Sequence, residues 1–94
     1  MIKVGNKKLI IMEEKLIGKI THYFNKISVA IVELSGVLKV GDRVHVKGGS
    51  TDFEQDISSI QIEHENVEKA KKGDAIGVKV DEKVREGDEV YLIV

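Results

Sequence analysis

The chain has 94 residues, 41% of them apolar and 33% charged, with a formal net charge of −1. That length supports one small domain, and the near-neutral charge argues against nonspecific nucleic-acid binding by the whole surface. There is no cysteine, which excludes disulfides, Cys-ligated zinc, iron–sulfur clusters and thiol nucleophiles.

Val and Ile number 25, against eight Leu and Ala together. β-branched side chains lose rotamer freedom in helices and pack well on pleated sheets, so an all-β fold is expected. No apolar run reaches the 18 residues of a membrane span. Met1–Lys8 lacks the apolar core of a signal peptide, which makes a cytoplasmic location the expectation.

In chain order, Ile2–Val4 and Leu9–Met12 flank Gly5-Asn6 and predict a hairpin. Residues 1–15 are read as an N-terminal addition to a domain spanning 16–94. Leu16–Phe24 is predicted as a strand with Ile20, His22 and Phe24 on one parity. Asn25-Lys26 turns the chain into Ile27–Leu34, whose faces are both apolar. Such a strand is expected to be central and buried on both sides.

A Gly-Asp pair then feeds an alternating strand three times, at Gly41-Asp42, Gly73-Asp74 and Gly87-Asp88. Each is predicted to be a tight turn whose Asp side chain bonds nearby backbone N–H groups. Between them, Lys47–Gln55 reads as a polar loop, Asp56–His64 as a strand, and Asn66–Lys72 as a turn or loop. Six or seven short strands in so small a chain predict a closed antiparallel β-barrel.

The ordered set Gly36-Val37-Leu38-Lys39-Val40-Gly41-Asp42-Arg43-Val44-His45-Val46, Ile57–Ile62, Val67–Val78 and Gly87-Asp88-Glu89-Val90 resembles the second, β-barrel domain of translational GTPases such as elongation factor Tu. It is most like small translation-elongation-factor-like proteins made of that barrel alone. Related barrels also end some collagenase-type peptidases. The resemblance implies the elongation factor domain II fold and a link to translation. No G-x-x-x-x-G-K-[ST] phosphate loop exists, so there is no GTPase domain and no GTP site is expected.

No catalytic residue, cofactor or metal is predicted. His22, His45 and His64 sit at no ligand spacing, and Asp52–Asp56 lacks the glycine that a calcium loop needs at its sixth position. Lys19, His22, Tyr23, Lys26, Arg43 and Lys47 are the candidate binding residues, the lysines and arginine for phosphate and the rings for stacking. Residues 1–47 carry a balance of +5 and residues 48–94 one of −6. These halves either interleave and cancel or form opposed faces. The functional expectation is a non-catalytic stand-alone binding module contacting RNA (transfer or ribosomal) or a ribosome-associated protein. The alternative is a protein-interaction or assembly domain without a nucleic-acid role. That domain would dock to a separately encoded enzyme or form a homodimer through Ile2–Met12.

Overall fold

The computed structural model describes residues 13–94. The expected Ile2–Met12 hairpin, and the homodimer built on it, lie outside the described residues. Among the described residues there are ten strands and no helix: β1 Glu14–Phe24, β2 Val29–Leu34, β3 Leu38–Lys39, β4 Arg43–Lys47, β5 Asp52–Asp56, β6 Ile60–Ile62, β7 Glu65–Val67, β8 Lys69–Ala70, β9 Ala75–Lys79 and β10 Glu89–Ile93. Eight form one sheet in the order β5-β4-β10-β1-β2-β9-β6-β7, and β3 pairs with β8 alone. Every pairing is antiparallel.

The all-β expectation holds, but the expected closed barrel is not seen: among the described residues no ladder closes the sheet, which ends at β5 and β7. A side chain spans part of the gap. Gln55, on edge strand β5, is only 3% exposed. Its Nε2 donates to the Lys79 carbonyl (2.9 Å), and its Oε1 accepts from the Asp81 N–H (2.8 Å). A side-chain amide thus stands in for a peptide group at the end of β9, and partly buried backbone groups that a ladder would satisfy are satisfied this way.

Alternation builds the core. Val44 and Val46 of β4, Ile76 and Val78 of β9, and Ala30, Val32 and Leu34 of β2 point inward with Ile17, Ile20, Leu38, Ile60 and Val90. Each buried Val or Ile stabilises the fold by roughly 1.5–3 kcal/mol.

Strand β1 breaks its own alternation. Its register with β2 shifts between Ile20 and His22, and its partner β10 shifts register between Val90 and Tyr91. The shift beside Thr21 corrects the single-parity expectation. Ile20 is buried, whereas His22 and Phe24 face outward and Tyr23 packs against the core. A bulge adds one residue to one strand and so flips everything beyond it. Gly18 is required for a different reason: a Cβ there would lie 2.6 Å from Val32 Cγ1.

The three Gly-Asp turns are one device in triplicate. Gly41, Gly73 and Gly87 have φ of 98°, 95° and 94°, the left-handed conformation of a type II turn's third residue. The Asp carboxylates accept from the backbone N–H groups of Lys39, Lys71 and Arg85 at 2.9, 2.9 and 2.8 Å. Each turn also clips to one remote residue by two backbone bonds. Gly41 N–H donates to the Ile57 carbonyl and Ile57 N–H to the Asp42 carbonyl. The same pair of bonds joins Gly73-Asp74 to Leu34 and Gly87-Asp88 to Ile20.

Three segments depart from expectation; the predicted strand Asp56–His64 shrinks to β6, Ile60–Ile62, with Asp56 ending β5 and Glu63-His64 forming a turn. The predicted polar loop Lys47–Gln55 contains most of β5, where Phe53 and the polar Gln55 point inward between acidic residues. An inward glutamine hides the apolar alternation that marks a strand. Within Asn66–Lys72, the expected loop, the end of β7 and all of β8 are found. The β6–β7 hairpin turns on Glu63 and His64, both at positive φ (51° and 69°). A two-residue turn of this kind ordinarily announces itself as Asn-Gly, and Glu-His does not.

Candidate functional site

Two surfaces on the outside of the sheet hold the residues of interest. The first spans β5, β4, β10 and β1. Outward Arg43, His45 and Lys47 on β4 stand opposite Asp56, Glu54 and Asp52 on β5. Arg43 Nη1 donates to Asp56 Oδ1 at 2.9 Å and its Nε reaches Glu54 Oε1 at 3.4 Å. These carboxylates, Asp56 foremost, raise the Arg43 pKa further.

His45 is the centre of this surface, with a side chain only 15% exposed. Its Nδ1 lies 2.7 Å from Glu14 Oε2 and its Nε2 2.5 Å from Asp52 Oδ1. The Asp52 contact, aided by Glu14 and opposed by desolvation, raises the imidazole pKa. His45 in turn lowers the Glu14 pKa, chiefly through its hydrogen bond. Lys47 Nζ lies 3.6 Å from Glu14 Oε1 and 4.8 Å from the Tyr91 ring centroid. Tyr91 donates to Glu89 Oε1 at 2.8 Å, and that bond, before burial, raises the phenol pKa. Glu14, His45 and Glu54 each bring a metal-ligating atom within 4.8 Å of the other two. Linear spacing hides this group, because three strands assemble it; the only sequence signal is the alternation that points all three outward.

The second surface lies at the far end of β1. Phe24 is 45% and Ile27 58% exposed. With Val29 and Ile31 of β2 and Ala75 and Gly77 of β9 they line a groove of about 240 Å³, rimmed by Gln61, Glu63 and His64. Ile31 lies opposite Gly77, and Phe24 opposite Val29. The expectation that β2 is buried on both sides is therefore corrected. Ala30, Val32 and Leu34 are buried, while Val29 and Ile31 remain half-buried, because among the described residues no second layer covers the outer face.

The six candidate binding residues do not gather in one place. Lys19 pairs in register with Glu89 on one side and Glu33 on the other. His22 Nδ1 lies 3.4 Å from Glu86 Oε2, and its ring meets Phe24 edge-on with centroids 4.4 Å apart. Tyr23 packs against the core, and Lys26 is exposed in the β1–β2 turn. Arg43 and Lys47 lie across β10 from β1 and already face carboxylates. The basic and acidic halves of the chain interleave here, since β4 lies beside β5.

Comparison with known proteins agrees with this architecture. The chain is 46% identical over 78 residues to an uncharacterized protease of Methanocaldococcus jannaschii, a match covering 82% of this chain and 19% of that protein. It is 38% identical over 81 residues to a collagenase of Porphyromonas gingivalis, covering 84% of this chain and 22% of that protein. The chain thus spans about a fifth of the length of these curated relatives. Among solved structures, the C-terminal domain of a Geobacillus thermoleovorans protein assigned as a U32 peptidase superposes with a TM-score of 0.79 at 20% identity, over 83% of this chain and 91% of that one. That likeness establishes a shared fold. Residues 29–94 match the family description of elongation factor Tu domain 2. By that match, and by the ordered Gly-Asp turns that anchor its strands, the chain belongs to the elongation factor Tu domain 2 family.

Proposed function

We propose that this chain is a non-catalytic interaction domain that docks, through the apolar face around Phe24 and Ile27, onto a peptidase chain of the kind its relatives carry. One observation carries the reading. β2 carries apolar residues on both faces, yet outward Val29 and Ile31 are left uncovered among the described residues, beside two exposed large apolar side chains. Contiguous exposed apolar surface marks interaction sites. The relatives supply the occupant: they are named as a protease and collagenases, and this chain corresponds to about a fifth of each. The remaining four fifths are a surface such a domain could be built to meet.

The polar residues favour a non-catalytic role. Both His45 ring nitrogens face carboxylates of this chain itself. Arg43 and Lys47 face acids and do not present a phosphate track.

Titration calorimetry against the M. jannaschii protease with its matched region removed tests the reading. One-to-one binding that survives nuclease, and that weakens at least tenfold in a Phe24→Ser/Ile27→Ser variant, supports it. Self-association without the peptidase would assign the face to a second copy. Salt-sensitive binding to transfer or ribosomal RNA, lost on Lys19→Glu/Lys26→Glu, would replace the proposal with an RNA module.

A further inference from the structure

The cluster at His45 has a requirement that the docking role leaves unused. A neutral imidazole carries one N–H, and an ionised carboxylate only accepts hydrogen bonds. Yet Glu14 lies against one ring nitrogen and Asp52 against the other. One of those two contacts therefore needs an added positive charge between its partners. A proton is one way to supply it, and a metal ion is the other.

We propose that Glu14, His45 and Glu54 bind one divalent transition-metal ion of the zinc type, with Asp52 as a positioning residue. Ligating atoms of these three side chains already lie within 4.8 Å of one another. Tetrahedral zinc, with bonds of about 2.0–2.1 Å to nitrogen and oxygen, places its ligand atoms roughly 3.4 Å apart.

The backbone fixes the starting point. His45 and Glu54 are direct cross-strand partners, and Glu14 belongs to the longest strand of the sheet. Lys47 holds Glu14 by Oε1, and Arg43 holds Glu54 by Oε1; Glu54 keeps its Oε2 for an ion, and Glu14 Oε2 already faces His45 Nδ1. With Nδ1 on the metal, the Nε2–H donates to Asp52, the carboxylate–histidine–metal arrangement that fixes tautomer and ring angle. Imidazole with two carboxylates suits zinc, cobalt or nickel and disfavours magnesium and calcium, which prefer all-oxygen sites. Three protein ligands leave a fourth position for water.

Cobalt titration of tag-free protein, read by its visible absorption, tests this, with zinc competition and melting temperature as second readouts. We expect one cobalt per chain, displaced by zinc and not by magnesium, with a melting temperature that rises with zinc. His45→Gln should remove the band. Glu54→Gln and Asp52→Asn should each weaken binding by about 10- to 100-fold, while His22→Gln and His64→Gln should leave it unchanged. Should His45→Gln fail to fold, the exposed Glu54→Gln carries the same comparison. The absence of a saturable cobalt band would overturn the site. So would binding that survives both His45→Gln and Glu54→Gln, or binding lost with His22 or His64.

Discussion

On the β4–β5 side of the sheet, Arg43, His45 and Lys47 each meet at least one carboxylate. On the β2–β9 side, outward Val29, Ile31, Ala75 and Gly77 form an apolar centre, with Lys79 opposite Val29 and Glu33 opposite Ala75 at its margins. The inner faces beneath are alike, built from alternating Val and Ile. The difference is therefore not about holding the fold. β5 is a free edge of the main sheet, and its acidic outward residues discourage a foreign strand from pairing there. The β2–β9 face is charged only at its margins, and it is the side proposed above for a partner.

Gln55 ties the two sides together, and its loss should break the comparison most severely. Gln55→Leu leaves the Lys79 carbonyl and the Asp81 N–H without their partner. Partly buried and unsatisfied, they should cost about 2 kcal/mol, read as a lower midpoint in urea. The second test separates stability from binding. Gly77 has room for a side chain, since a Cβ there would meet Val29 Cγ1 at 3.5 Å. Gly77→Val should fill the groove, reduce peptidase affinity by about tenfold, equivalent to ~1.4 kcal/mol, and leave the melting temperature close to that of the parent.

A smaller effect, of opposite sign, is expected at the β6–β7 turn. His64→Gly relieves a side chain held at φ 69° and should stabilise the protein by about 0.5–1 kcal/mol. The smallest effect belongs to the charged side. Arg43→Gln removes an exposed ion pair, and such pairs contribute little in water. Its midpoint should fall measurably only at low ionic strength; an equal fall in high salt would show that the charged face is structural in its own right.

Much of this was legible in the residues. The β-branched excess pointed to the all-β class, and the Gly-Asp turns marked three strand entries together with the Asp side-chain bonds. What was hidden has physical causes. The bulge beside Thr21 reverses the outward direction of His22 and Phe24, and no residue there signals it. β5 was concealed because its inward Gln55 serves as a backbone substitute, and an apolar pattern cannot report that. The His45 cluster needs the pairing register of β4 and β5 and the reach of Glu14, neither of which is written in linear spacing. The two-faced apolar character of β2 was visible from the start. Reading it as burial assumed a covering layer that the described residues do not provide.

The three identical turn clips also order events in time. Gly41-Asp42 fastens to Ile57, nearby in the chain; Gly73-Asp74 reaches back to Leu34; Gly87-Asp88 reaches back to Ile20, across nearly the whole described chain. Closing a longer loop costs more entropy before any contact repays it. The clips should therefore form in that sequence during folding, short loop first. Gly41→Ala should slow the folding rate, whereas Gly87→Ala should mainly hasten unfolding. The last fastening joins the turn that enters β10 to β1, so the fold gains its full resistance to unfolding only when the first and last described strands have met.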